Sequence, residues 1–217
     1  MLIRDWMTKE VITVSPSVSM MKASRLMKEH NIHRLPVVDD NEALVGILTD
    51  RDIKEASPSK ATTLDMHELY YLLSEIKVKD IMSRHPVSMH GDDSVEQAAL
   101  LMVDRHFGGL PIVDDDNKLI GIITDSDIFK VFINITGAMS GGLQLAFELS
   151  LETGSLRAVL SAMREHGARV VSVLTSQNDD ENRMVYIRVR DMDMMAQKAL
   201  IADMQKRFNL LYWHPRV

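Results

Sequence analysis

Two short segments carry the residue types that could do chemistry: Thr49-Asp50-Arg51-Asp52 and Thr124-Asp125-Ser126-Asp127. Each ends an apolar run and opens a helix-like one. Backbone amides without intrahelical partners gather at such a point, at the positive end of the helix dipole. A phosphate can sit there, and the threonine hydroxyl can add a hydrogen bond. The aspartate three residues on offers two acceptor oxygens, enough to take both hydroxyls of a ribose diol. The same spacing is also close to a capping box, in which the threonine caps and the acid reaches back to the cap's own amide. The residues leave ligand and cap both open. Upstream, Gly46 and Gly121 let backbone or ligand approach closely. Arg34-Leu35-Pro36 and Gly109-Leu110-Pro111 present backbone groups beside apolar walls, which suits a purine.

The two motifs belong to a duplication. Leu35–Ile53 reads LPVVDDNEALVGILTDRDI and Leu110–Ile128 reads LPIVDDDNKLIGIITDSDI; matched residues lie 75 positions apart, as Leu35 and Leu110 do, with no gap. The same offset relates Asp5-Trp6-Met7 to Asp80-Ile81-Met82. Two like modules packed as a pseudo-symmetric pair are therefore expected. Each copy scans as β-α-β-β-α. The first has a short β-rich run at Val11–Val14, a helix pattern over Ser17–Asn31, strands at Leu35–Val38 and Leu44–Leu48, and a helix from Asp50. The acid pairs Asp39-Asp40 and Asp114-Asp115 fall at hairpin turns, where turn chemistry accounts for them. Leu64–Glu75 has no counterpart in the second copy and reads as a linker helix. Ile135–Gly142 (ITGAMSGG) reads as a glycine-rich hinge. Beyond it, strand and helix patterns alternate as β-α-β-β-α-β, the order of a ferredoxin-like sandwich. The expected organisation is repeat 1 over 1–56, linker over 57–76, repeat 2 over 77–136 and a small sandwich over 143–217.

Composition excludes several classes. The chain has 217 residues, 46% apolar and 26% charged, with a net charge of −6. That acidity disfavours nucleic acid and anionic membrane as partners. Without cysteine there is no disulfide, thiolate metal site or thiol nucleophile. No stretch shows the ~20 unbroken apolar residues of a membrane span, and the start MLIRDWMTKE lacks the apolar core of a secretory signal. A cytoplasmic protein is expected. His30 with His33, and His85 with His90, lack an acidic or thiol partner that would complete a metal set. No assembled nucleophile, base or phosphate loop points to an enzyme.

The pattern h-P-h-h-D followed by G-h-h-T-x-x-D-h, present in order in both halves, resembles the CBS domain, and the pair resembles a Bateman module. With the linker and the C-terminal sandwich added, the layout resembles the acetoin-utilisation protein B type of CBS–CBS–ACT protein. The resemblance implies an α/β (α+β) fold of two CBS repeats followed by an ACT-type ferredoxin-like domain. It implies a non-catalytic regulator sensing AMP, ADP, ATP or S-adenosylmethionine in two clefts, with magnesium entering only alongside ATP. By that likeness Thr49 and Asp52 hold one nucleotide, Thr124 and Asp127 the other, and Thr13-Val14 and Val87-Ser88 line the purine pockets. His33, Arg34, Arg51 and Lys54 surround the first motif where Gly108, Gly109, Ser126 and Phe129 surround the second. The first cleft should therefore take more phosphate charge.

Glu152, Gly154 and Leu156 sit where the ACT loop would admit an amino-acid effector. Thr153 replaces the usual proline, so a pairing or docking domain is favoured, with Thr153 or Ser155 capping the helix. A homodimer and a regulated partner protein are expected, and acetoin or related carbon catabolism is implied by likeness alone. The rival readings are a ligand-free oligomerising scaffold and an amino-acid sensor.

Overall fold

The computed structural model describes residues 1–57, 74–177 and 181–215; the expected linker helix Leu64–Glu75 lies almost wholly outside them. The chain divides into two compact units, Met1–Ile128 and Phe129–Val217.

In the first unit, helix α1 (Met20–Glu29) starts where Ser19 Oγ accepts the Lys22 amide at 3.3 Å. Strands β1 (Arg34–Val38) and β2 (Leu44–Thr49) follow, then helix α2 (Asp50–Ala56). A short helix α3 (Val78–Ile81) leads into β3 (Ser83–Arg84). The second repeat has β4 (Met89–His90), α4 (Val95–Arg105), β5 (Gly109–Val113), β6 (Leu119–Thr124) and the start of α5 (Asp125–Thr136), whose residues from Phe129 on belong to the second unit. Residues Val11–Val14 do not form a strand; only Val14 bridges, in parallel with Val37. Both hairpins share one register: Leu35 faces Leu48 and Val37 faces Gly46, as Leu110 faces Ile123 and Ile112 faces Gly121. The turns are held by their acids. Asp39 Oδ1 accepts the amides of Asn41 and Ala43, and Asp114 Oδ1 those of Asp116 and Lys118. Ala23, Leu35, Val37, Leu48 and Val78 fill the first core.

The repeats exchange their lead-in segments. Residues Met1–Thr8 pack on repeat 2, where the Ile3 amide donates to Asp93 O, Val95 N to Met1 O, and Thr8 bridges Ile122. The lead-in of repeat 2 packs on repeat 1 in the same manner: Val78 N donates to Val18 O, Met20 N to Ile76 O, and Ser83 pairs with Ile47. Gly46 and Gly121 serve this exchange. A Cβ on Gly46 would run into the Met82 side chain, and one on Gly121 into Met7. These glycines make room for a methionine from the other repeat, not for a ligand. The hairpin turns meet as well, with Leu44 N donating to Asn117 O and Leu119 N to Glu42 O.

The second unit contains β7 (Leu143–Ser150), α6 (Ser155–Glu165), β8 (Val170–Gln177), β9 (Asn182–Val189), α7 (Met194–Arg207) and β10 (Leu210–Pro215). Its sheet is antiparallel with order β10-β7-β9-β8. Leu145, Phe147, Val159, Met163, Ile187 and Leu200 fill the core between sheet and helices. The glycine-rich run read as a hinge is a packed turn. Gly142 has φ +87° and lies so close to Val189 O that no Cβ would fit. Arg188, 7% exposed, donates through Nε to Thr136 O at 3.0 Å and through Nη1 to Gly141 O at 3.4 Å. Ser172 Oγ donates to the same Thr136 carbonyl at 2.8 Å. The carbonyl end of α5 is thus held by a buried cation, which its dipole favours.

Candidate functional site

Both Thr-x-x-Asp motifs form closed local bonds. The amide and hydroxyl of Thr49 donate to Asp52 Oδ2, each at 2.7 Å, and Asp52 N donates back to Thr49 Oγ1 at 3.3 Å. That is a complete capping box at the start of α2. In the second motif Thr124 N and Oγ1 donate to Asp127 Oδ2 at 3.0 and 2.8 Å. The two acids differ in access. Asp52 is half-buried and its Oδ1 accepts no hydrogen bond among the described residues. Asp127 is 4% exposed.

A cleft of about 440 Å³ opens beside the first motif. Repeat 1 contributes His33, Arg34, Ile47, Thr49, Asp50, Arg51 and Asp52. Repeat 2 contributes Pro86, Val87, Gly109, Leu110 and Pro111, with Arg105, His106 and Phe107 from the end of α4. The site is therefore composite: the acid motif of one repeat faces the Gly-Leu-Pro strand start of the other. The expected residues Thr13, Val14, Leu35, Pro36, Ser88, Thr124 and Asp127 do not line it. Val14 and Leu35 belong to the first core. Arg105, His106 and Phe107 escaped sequence reading, because a helix end carries no mark of what it faces. Their one sequence signal is position, just ahead of Gly108-Gly109.

The cleft's charges are unevenly paired. Asp50 Oδ2 takes a hydrogen bond from Lys54 Nζ at 2.9 Å and lies 3.9 Å from His33 Nδ1. The Lys54 bond holds the Asp50 carboxyl below its ordinary range. The Arg34 side chain makes no hydrogen bond and no ion pair among the described residues. Burial pulls its guanidinium below the usual value, offset in part by the charges of Asp125 and Asp50.

In the second unit, Gly154 takes the N-cap position of α6 with φ +98°, and Thr153 and Ser155 do not cap it. Ser155 Oγ instead donates to Ser150 O at 2.8 Å and accepts from Arg183 Nη2 at 3.2 Å. A groove of about 430 Å³ runs along Gly154, Leu156, Arg157, Leu160, Ser161 and Arg164; Glu152 does not line it. Among the described residues no helix is long and apolar enough to cross a membrane, and no three His, Asp or Glu side chains gather as a metal set.

A family model for the CBS domain matches residues 3–59 and 78–134. Among solved structures, a CBS domain pair in complex with 5′-methylthioadenosine and S-adenosyl-L-methionine is 33% identical, with 61% of this chain and 95% of that one covered and a TM-score of 0.51. CBSX2 in complex with AMP is 35% identical over 62% of this chain and 97% of its own, with a TM-score of 0.52; the protein comes from Arabidopsis thaliana. A Vibrio cholerae protein named for acetoin utilization is 28% identical, covering 64% of this chain and 95% of that one, with a TM-score of 0.54. The curated L-aspartate semialdehyde sulfurtransferase of Methanocaldococcus jannaschii is 33% identical over 131 residues, but the match spans only 23% of that enzyme.

Proposed function

The chain belongs to the CBS-domain family, and from that premise we propose that it is a non-catalytic regulator whose CBS pair senses an adenosine-containing small molecule: AMP, ADP, ATP or S-adenosylmethionine. One observation carries the reading. The cleft joins a half-buried acid with a spare oxygen, Asp52, to an apolar strand start from the other repeat, Gly109-Leu110-Pro111. An acid of that kind can accept from a ribose diol, and an apolar wall with free backbone groups suits a purine. Related CBS pairs crystallised with AMP, and with S-adenosyl-L-methionine, support the ligand class. Because a ligand would touch both repeats, its occupancy can bias their packing, provided it binds two arrangements unequally. Thr124 and Asp127 then form the weaker site, since a ligand must first open a buried, bonded carboxylate.

The second unit is taken as an ACT-type ferredoxin-like domain, supported by its β-α-β-β-α-β order and its sheet order. Its role in this reading is pairing or docking, and the Gly154–Arg164 groove is the place for an amino-acid effector if one exists. A homodimer is supported by apolar side chains left open on α4, where Leu100 is 64% and Val103 71% exposed. The likeness to the Vibrio protein supports a role in acetoin or related carbon catabolism; a partner protein as target and a cytoplasmic setting complete the reading.

A ligand-free scaffold is the second reading, and the closed capping bonds of Asp52 and Asp127 favour it. Thermal unfolding of the full chain with AMP, ADP, ATP, S-adenosylmethionine and 5′-methylthioadenosine separates the two. A ligand that binds the native state raises the midpoint by mass action. No shift with any of the five would leave the scaffold standing.

A further inference from the structure

We propose that Met7 and Met82 are a matched pair of peroxide-sensitive latches between the repeats, and that oxidation of their sulfurs loosens the docking of the repeats and the cleft built by it. The two methionines lie 75 positions apart, as do the glycines they cover, Gly46 and Gly121. Each belongs to the lead-in of one repeat and sits on the hairpin of the other. A Cβ on Gly46 would meet Met82 Sδ first, and one on Gly121 would meet Met7 Sδ first. Neither glycine has a positive φ, so what each position requires is space, and a sulfur takes it. The next residue is clamped in both cases. Thr8 exchanges backbone bonds with Ile122 at 2.9 and 3.0 Å, and Ser83 pairs with Ile47. Each sulfur is thus pinned against main chain.

With no cysteine in the chain, thioethers are its only sulfur nucleophiles. Access sorts them. Met20, Met27, Met89, Met102, Met163 and Met204 are buried, out of reach of a peroxide. Met139, Met194 and Met195 stand in solvent, where an added oxygen is readily hydrated. Met7 and Met82 are partly exposed, so hydrogen peroxide can reach a sulfur on which packing depends. Met21, Met184 and Met192 have similar access and serve as internal controls. In the reaction the sulfur lone pair takes one peroxide oxygen. The S–O bond forms as the O–O bond breaks, sulfur gives up two electrons, and the peroxide leaves as water. The product is a polar, chiral sulfoxide. On a glycine's main chain the new oxygen either crowds the backbone or loses water without gaining a donor, and both are costly. Met82 packs against the first core, and its neighbour Ser83, with the paired Ile47, lines the composite cleft. Loosening there moves the cleft wall.

The test treats the folded full chain with graded hydrogen peroxide, maps sulfoxide by peptide mass spectrometry and reads the unfolding midpoint of each sample. Met139, Met194 and Met195 should oxidise first, with no change in midpoint. Met7 and Met82 should follow, and the midpoint should fall with them by about 2–10 °C. Methionine sulfoxide reductases for both epimers should restore it. Met7→Leu with Met82→Leu, a swap of like volume, should hold its midpoint through the same treatment; if that pair fails to fold, each single variant should show part of the protection. Titration calorimetry should find AMP bound several-fold more weakly by the oxidised wild type. An unchanged midpoint in chain oxidised at both residues would overturn the inference, as would an equal fall in the double leucine variant, or unchanged AMP affinity. The AMP arm alone rests on the adenosyl-sensing reading: if the reduced chain binds no adenosine compound, that reading fails and the midpoint still decides the latch.

Discussion

Alanine at Asp127 should cost more stability than alanine at Asp52, whereas alanine at Asp52 should cost more of the ligand response. The two acids make the same pair of bonds to their threonines, at 2.7 and 2.7 Å for Asp52 and at 3.0 and 2.8 Å for Asp127. They differ in burial. Asp52→Ala removes a cap that water can partly replace, a loss of about 1 kcal/mol. Asp127 is 4% exposed, so Asp127→Ala empties a buried position and leaves the half-buried Thr124 amide and hydroxyl without their charged acceptor. Loss of a charged acceptor there costs about 2–3 kcal/mol. At roughly 2–4 °C per kcal/mol for a chain of this size, the apo midpoints should separate clearly by calorimetry. AMP at about 100 times its Kd should then add about 2.7 kcal/mol to the wild type. That gain should largely vanish in Asp52→Ala, because Asp52 lines the open cleft, and largely survive in Asp127→Ala. Equal apo losses would refute the burial argument. A full AMP gain in Asp52→Ala would refute the assignment of the ribose acid.

Three further outcomes follow from the packing. Gly121→Val should destabilise by about 1–3 kcal/mol through overpacking against Met7, and Met7→Ala should relieve much of it in a double-mutant cycle on urea midpoints. Arg188→Ala should cost about 2–4 kcal/mol, since it strips a buried donor from Thr136 O and Gly141 O; calorimetry of the full chain reads it. Asp203 is held below its ordinary range by hydrogen bonds from His166 at 3.0 Å and Arg207 at 3.2 Å. A depressed acid contributes stability that is present above its unfolded value and lost as pH falls through its folded one. Wild type should therefore exceed Asp203→Asn in unfolding midpoint at neutral pH, with the gap closing below about pH 4.

Local chemistry made much of this molecule legible from the residues alone. The 75-residue offset predicts twin hairpins, and Asp39 and Asp114 close their turns as those residue types do. Serine caps start α1 and α4 within a few residues of the patterned ends. Threonine and aspartate three apart limit their partners to a cap or a ligand, and the structure has them capping. All of these are short-range effects, in which a side chain meets its own backbone within four residues.

What only the tertiary structure decided is which repeat each segment serves. Nothing in Met1–Thr8 says that it packs on repeat 2, or that Met7 fills the gap at Gly121. The duplication itself hides this, because both copies carry the same hairpin pattern and the same Asp-x-Met lead-in, and only chain connectivity and packing choose. The same holds for the cleft. Sequence named Thr49, Asp52, Thr13-Val14 and Val87-Ser88 without saying which share a pocket, and folding set Thr49 and Asp52 against Val87 and Gly109-Leu110-Pro111. Arg34 lies on Gly108 and Gly109 because two glycines leave a volume that one guanidinium fills. Such complementarity between residues distant in sequence exists only once both surfaces are formed.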